Sequence, residues 1–172
     1  MKKTKKQTRN ENSHIGHYMI GVGAVIKHPT EDKILITKRQ NTAFQDNIWE
    51  MMYGRVDQHE ELYQGLLREI SEELGPIKIK IGPLIRLWHF YRGDKCAETE
   101  IHGMTFICQA EDTNIELNEE HGEYKWVSPE KALEYIVTPG IVLDVQTYIK
   151  EQQNPIPRVY LSNTDHQLIE KS

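Results

Sequence analysis

A chain of 172 residues is long enough for one domain with a sizeable core. Its formal net charge of −5 argues against a general electrostatic trap for nucleic acid, and no apolar run approaches the roughly 20 residues that span a bilayer. The charge is uneven: Lys2, Lys3, Lys5, Lys6 and Arg9 against Glu11 leave residues 1–14 at +4 and the remainder at −9.

That first run has no apolar stretch behind its lysines, so it does not read as a secretion signal. It reads as a solvated basic tail, or as a weak tether for RNA or an anionic surface. Residues 18–28, YMIGVGAVIKH, are apolar and β-branched and predict a strand; HPTEDK predicts a turn and ILITKR (34–39) a second strand, together a hairpin. After a polar loop, IWEMMY predicts one short strand. From Glu60 to Leu74 the apolar positions Leu62, Leu66, Ile70 and Leu74 step by four residues, with Tyr63 and Leu67 alongside, which predicts an amphipathic helix. Gly75 and Pro76 supply its stop.

Residues 77–93 alternate as a strand with a break at Gly82-Pro83, and 99–111 form another. A loop, DTNIELNEEHGE, leads to a last strand, YKWV. Ser128 is the expected N-cap of a helix PEKALEYI, with Pro129 in its first position. A final helix is expected from Pro139 or Gly140 to about Gln153. The organisation is therefore a basic tail (1–14), a domain (15–153) and a C-terminal extension (154–172). The fold class is α/β, a mixed sheet packed between helices. Cys96 and Cys108 have neither CxxC nor zinc spacing, and reduced thiols of a cytoplasmic enzyme are expected rather than a disulfide.

The 60–74 helix carries the chemistry. At about 100° per residue, Glu69, Glu72 and Glu73 occupy an arc beside the apolar face. Like charges one turn apart repel by a few tenths of a kcal/mol, and the last turn of a helix disfavours anions. The arrangement costs the isolated helix stability, leaving two readings: a solvated acidic face, or a set of hard oxygen ligands whose sign problem a divalent cation reverses. Mg²⁺ commonly sits between a few carboxylates and substrate phosphates.

The spacing favours the second. Gly54, Glu60, Arg68, Glu69, Ile70, Glu72, Glu73 and Gly75 match G-x5-E-x7-R-E-U-x-E-E-x-G-U (U aliphatic), and the seven fixed positions coincide by chance on the order of 10⁻⁸ per start site. The stretch resembles the box of the Nudix hydrolase family (MutT-like). The hairpin with Lys38-Arg39 at its end, the IWE lead-in and EEHGEYKWVSPEKALE extend the resemblance over about residues 18–150. Departures are Pro76 at the final aliphatic position, His59 for the usual small residue, and Met52-Tyr53-Gly54 for the usual Pro-Gly-Gly.

The resemblance implies an α/β/α sandwich and Mg²⁺-dependent hydrolysis of a nucleoside diphosphate linked to another moiety, with Mn²⁺ as a substitute ion. It implies Glu69, Glu72 and Glu73 as metal ligands, Glu60 in support, the Tyr53 backbone carbonyl as a further ligand, and Arg68 holding a box glutamate. The general base is a box glutamate or an acid of the NEEHGEYKW segment; Glu120 is the choice there, as base or additional ligand, with Glu123 in reserve. Arg39 is a candidate phosphate contact. Trp49, Phe44, Trp88 and Tyr91 are candidates for stacking on a base, each against the alternative of a core aromatic. The expected substrate is a (deoxy)nucleoside triphosphate; a dinucleoside polyphosphate (Ap4A-type) and a non-catalytic binding module are the alternatives. The expected partner is a small-molecule nucleotide, with neither membrane nor nucleic acid; family members often form homodimers.

Overall fold

The computed structural model describes residues 16–41 and 46–155, so the basic tail, Phe44 and the extension beyond Pro155 lie outside the described residues. Seven strands form one mixed sheet: β1 (Met19–Lys27), β2 (Ile34–Arg39), β3 (Trp49–Glu50), β4 (Met52–Arg55), β5 (Ile79–Tyr91), β6 (Glu100–Ala110) and β7 (His121–Val127). The order is β3-β2-β1-β6-β5, with β4 also pairing β1 and β7 pairing β2. The β1–β6 pair is parallel and the others are antiparallel.

Residues 21–26 of β1 are buried throughout, because helices cover both faces of the sheet. Val22, Ala24 and Ile26 alternate onto one face. There they pack with Phe106 and Cys108 of β6 and with Leu66, Ile70 and Leu74 of α1 (Leu62–Leu74). Val25, Ile34, Ile36 and Met51 face the other way, onto Ala132 and Ile136 of α2 (Pro129–Tyr135) and its C-cap, and Ile141, Val145 and Tyr148 of α3 (Pro139–Gln153). The alternation inferred from sequence thus becomes two apolar layers and an α/β/α sandwich.

Four boundaries differ from expectation for local reasons. α1 begins at Leu62, because Glu60 is folded back: its Oε2 accepts the Asp57 N–H at 3.0 Å. IWEMMY is two strands, since β3 pairs β2 while β4 pairs β1, and buried Met51 marks the change. β5 runs on through Gly82-Pro83 with register shifts between Ile81 and Leu84 and between Leu84 and Arg86; it is an edge strand, where proline is tolerated. β7 starts at His121 rather than Tyr124. Gly75 caps α1 at φ 73°, and Ser128 Oγ accepts the Lys131 N–H at 3.2 Å at the start of α2. His59, flagged by its departure from the motif, has φ 71°.

Candidate active site

β4 carries the chain from the sheet into α1, and the closeness of the two is written into Gly54. A β-carbon on residue 54 would fall 2.2 Å from Glu69 Cδ, so glycine is what lets the helix carboxylate lie on the strand. Glu69 Oε1 then accepts the Arg55 N–H at 2.9 Å.

Arg68 gathers the rest of the helix face. Its Nε and Nη2 donate to Glu60 Oε1 and Oε2 at 2.9 and 3.0 Å, a forked pair. Nη1 donates to Glu72 Oε2 at 3.0 Å and lies 3.2 Å from Glu69 Oε1; Nη2 also donates to the Arg55 carbonyl at 2.8 Å. The Arg68 guanidinium, with the Asp57 N–H, holds the Glu60 carboxyl below the usual carboxylate range. Arg68 itself is raised, first by Glu60. Glu60 and Arg68 therefore form a brace that ties loop, strand and helix.

Glu73 is in a different situation. It is buried, and burial pushes its carboxyl well above the usual range; Glu50, Glu69 and Glu120 push it further, while Arg39 opposes them. His121 Nε2 stands 3.9 Å from its Oε2. Buried Glu50 accepts from Arg39 Nη1 at 3.0 Å and has His121 Nε2 at 3.4 Å. Arg39 Nη2 reaches Glu120 Oε2 at 3.3 Å, and the Gln40 N–H donates to the Glu120 carbonyl at 2.8 Å. Register explains the gathering: Arg39 of β2 lies opposite His121 of β7, and its neighbour Lys38 lies opposite Trp49, next to Glu50, in β3.

The structure thus brings Glu60, Arg68, Glu69, Glu72, Glu73, Arg39 and Glu120 to one end of the sheet. Glu50 and His121, which sequence reasoning did not single out, join them. The other candidates lie elsewhere. Glu123, exposed on β7, pairs with Lys125. The Trp49 ring packs on Tyr135 of α2 at 5.3 Å, with Lys125 Nζ 4.9 Å from its centroid. Tyr91, at the end of β5, donates to Glu100 at 3.4 Å. Trp88 lies across Gly21 and Gly103 and donates from Nε1 to Thr105 Oγ1 at 3.0 Å. Tyr53 offers its backbone beside Gly54 while its phenol goes to Asp144 on the opposite face.

Among the described residues, seven carboxylates (Glu50, Asp57, Glu60, Glu69, Glu72, Glu73 and Glu120) share the guanidinium groups of Arg39 and Arg68. A buried acid crowded by like charges, in a set of hard oxygen donors, fits a divalent cation such as Mg²⁺ and the phosphates it accompanies. Fold and site together define a class: an α/β/α sandwich presenting an acidic helix at the end of a mixed sheet.

The comparisons agree. The family model described as NUDIX domain matches residues 17–142, and the chain belongs to that family. It is 31% identical over 128 residues to the CTP pyrophosphohydrolase of Escherichia coli (strain K12), covering 69% of this chain and 82% of the relative. It is 28% identical over 126 residues to Nudix hydrolase 6 of Arabidopsis thaliana, covering 71% of this chain and 42% of that protein. The chain spans about two fifths of the length of Arabidopsis Nudix hydrolases 6 and 7. In structure it is similar to the MutT protein from Methanosarcina mazei Go1, with a TM-score of 0.65 and 26% identity, covering 83% of this chain and 99% of that one.

Proposed function

We propose that the chain is a Mg²⁺-dependent hydrolase of a diphosphate bond in a nucleotide, and that its substrate is a nucleoside or deoxynucleoside triphosphate. The observation that carries the reading is Glu73: a buried carboxyl with Glu50, Glu69 and Glu120 acting on it, an arrangement that costs stability unless a cation is bound. The relative named CTP pyrophosphohydrolase supports the substrate class.

Glu69, Glu72 and Glu73, with the Tyr53 carbonyl, would hold the ion. Bound Mg²⁺ supplies neutralisation of phosphate charge and a water of lowered pKa. The protein's own part is positioning. Arg68, forked to Glu60, fixes the helix face that carries the ligands. Arg39, paired with Glu50 and Glu120, would meet a phosphate oxygen. Glu120 is the base: its side chain is more than half exposed, and one oxygen is turned to Arg39 Nη2. It takes a proton from the water that attacks phosphorus; the anhydride P–O bond breaks and a phosphate-ended fragment leaves. Exposed Cys96 and buried Cys108, both free, suit a reducing compartment such as the cytoplasm.

The test is phosphate-product release from nucleoside triphosphates, dinucleoside polyphosphates, ADP-ribose and nucleotide sugars, with Mg²⁺ and then with EDTA. Mg²⁺-dependent cleavage of triphosphates supports the proposal, and preferential cleavage of another class corrects the substrate. Silence from folded protein across the panel would favour a binding module.

A further inference from the structure

We propose that His89, Glu100 and His102 form a second metal site, for a divalent transition metal, on the β5–β6 strands and separate from the carboxylate cluster. β5 and β6 are antiparallel, with His89 opposite His102 and Tyr91 opposite Glu100. His102 and Glu100 share the sheet face of Met104 and Phe106, so period-two alternation presents all three polar side chains on one face of the sheet at its β5 edge.

Their tips converge on one point. His89 Nε2 is 2.9 Å and His102 Nε2 3.5 Å from the same oxygen, Glu100 Oε1. One ligand atom from each residue lies within 4.8 Å of the others. Ligands of a tetrahedral ion with bonds of about 2.0–2.1 Å stand roughly 3.3 Å apart, so small side-chain rotations close the set. The surroundings fix the orientation. The Tyr91 hydroxyl donates to Glu100 Oε1 at 3.4 Å, the outer-sphere contact that commonly orients a ligating carboxylate. The Tyr91 ring packs on His89 at 5.2 Å, and the Tyr18 ring packs edge-on against His102 at 4.7 Å.

Donor chemistry separates the two sites. Two imidazoles and one carboxylate suit Zn²⁺, Cu²⁺, Ni²⁺ or Fe²⁺, whereas the all-oxygen cluster on α1 suits Mg²⁺. The His89 and His102 side chains are 42% and 48% exposed, leaving a coordination position open to solvent. An ion there clips the ends of β5 and β6 together.

The test is calorimetric titration of the full chain with Zn²⁺ in saturating Mg²⁺, so that the α1 cluster is occupied and its fate is read separately. The wild type should bind Zn²⁺ at least about tenfold more tightly than the His89→Ala/His102→Ala variant. Both substitutions are at exposed positions, and a melting curve checks the fold. Glu100→Gln should weaken the same binding without altering Mg²⁺-dependent hydrolysis. Zn²⁺ should also raise the Tm of the wild type and not that of the double variant. Equal Zn²⁺ affinity and stoichiometry in wild type and double variant would overturn the site.

Discussion

The two faces of the sheet each hold a buried carboxylate, and the difference between them separates architecture from chemistry. On the α3 face Asp144 is fully buried, accepts the Tyr53 hydroxyl and pairs with Arg86, whose Nη2 also donates to the Gly140 carbonyl at 2.8 Å. Burial, with Asp144 beside it, pushes the Tyr53 phenol up and keeps it a neutral donor. One anion meets one cation and one hydroxyl, so the set is satisfied from within. On the α1 face Glu73 has Glu50, Glu69 and Glu120 acting on it, and carboxylates outnumber guanidinium groups. The first cluster holds α3 to the sheet; the second is, on the proposed function, completed by a cation. Both are reached from β4, where Tyr53 points to one face and Gly54 makes room for Glu69 on the other.

Substitutions can break this contrast. The largest effect should come from Glu73→Gln. Removing a proposed metal ligand should lower turnover by more than ~10²-fold, above the upper range for outer-sphere partners. Tm in EDTA should be unchanged or raised, because a crowded like charge is gone; near-normal turnover would sink the metal assignment. Asp144→Ala should do the opposite, costing about 3–5 kcal/mol in denaturant unfolding because Arg86 loses its partner. A loss below about 1 kcal/mol would show that the α3-side set is not a structural tie.

Smaller effects sharpen the picture of what surrounds these clusters. Gly103→Ala puts a β-carbon 2.1 Å from the Trp88 ring, which also packs against Phe90 at 5.6 Å and Tyr53 at 6.1 Å, and should cost about 1–3 kcal/mol by overpacking. The alkaline limb of stability should be the mildest. Burial pushes the Cys108 thiol from 9.0, and the Tyr148 phenol from 10.0, up to about 12. The folded chain then keeps protons that the unfolded chain releases. Stability is full below pH 9 and falls as pH rises toward 12, by about 1–2 kcal/mol between pH 8 and 10. Urea midpoints at the two pH values measure it, and Cys108→Ala should flatten the fall; an equal fall in that variant would remove Cys108 from the account.

What the sequence reveals depends on how local the cause is. α1, its Gly75 stop and the placing of Glu69, Glu72 and Glu73 beside an apolar stripe follow from spacing within one turn. His59 stood out as a departure from the motif, and the structure puts it at φ 71°. Glu50 and His121 were hidden because their meeting depends on how β2 registers with β3 and β7, including a shift between Lys38 and Arg39. The sequence singled out Arg39 at the end of ILITKR but not what lies opposite it. Asp144 is 91 residues from Tyr53 and 58 from Arg86, beyond any local pattern. The one available signal was an acid in α3 on the side of Ile141, Val145 and Tyr148.

The central claim is that the α1 carboxylates are arranged for a divalent cation, and a Mg²⁺ titration followed by Tm tests it most directly. A cation that binds the folded chain alone raises stability by about 1.4 kcal/mol at ten times its Kd. The account predicts a Tm that climbs with Mg²⁺, returns with EDTA, and stays flat in Glu73→Gln. A wild-type Tm indifferent to Mg²⁺, or a Glu73→Gln variant that climbs equally, would contradict it.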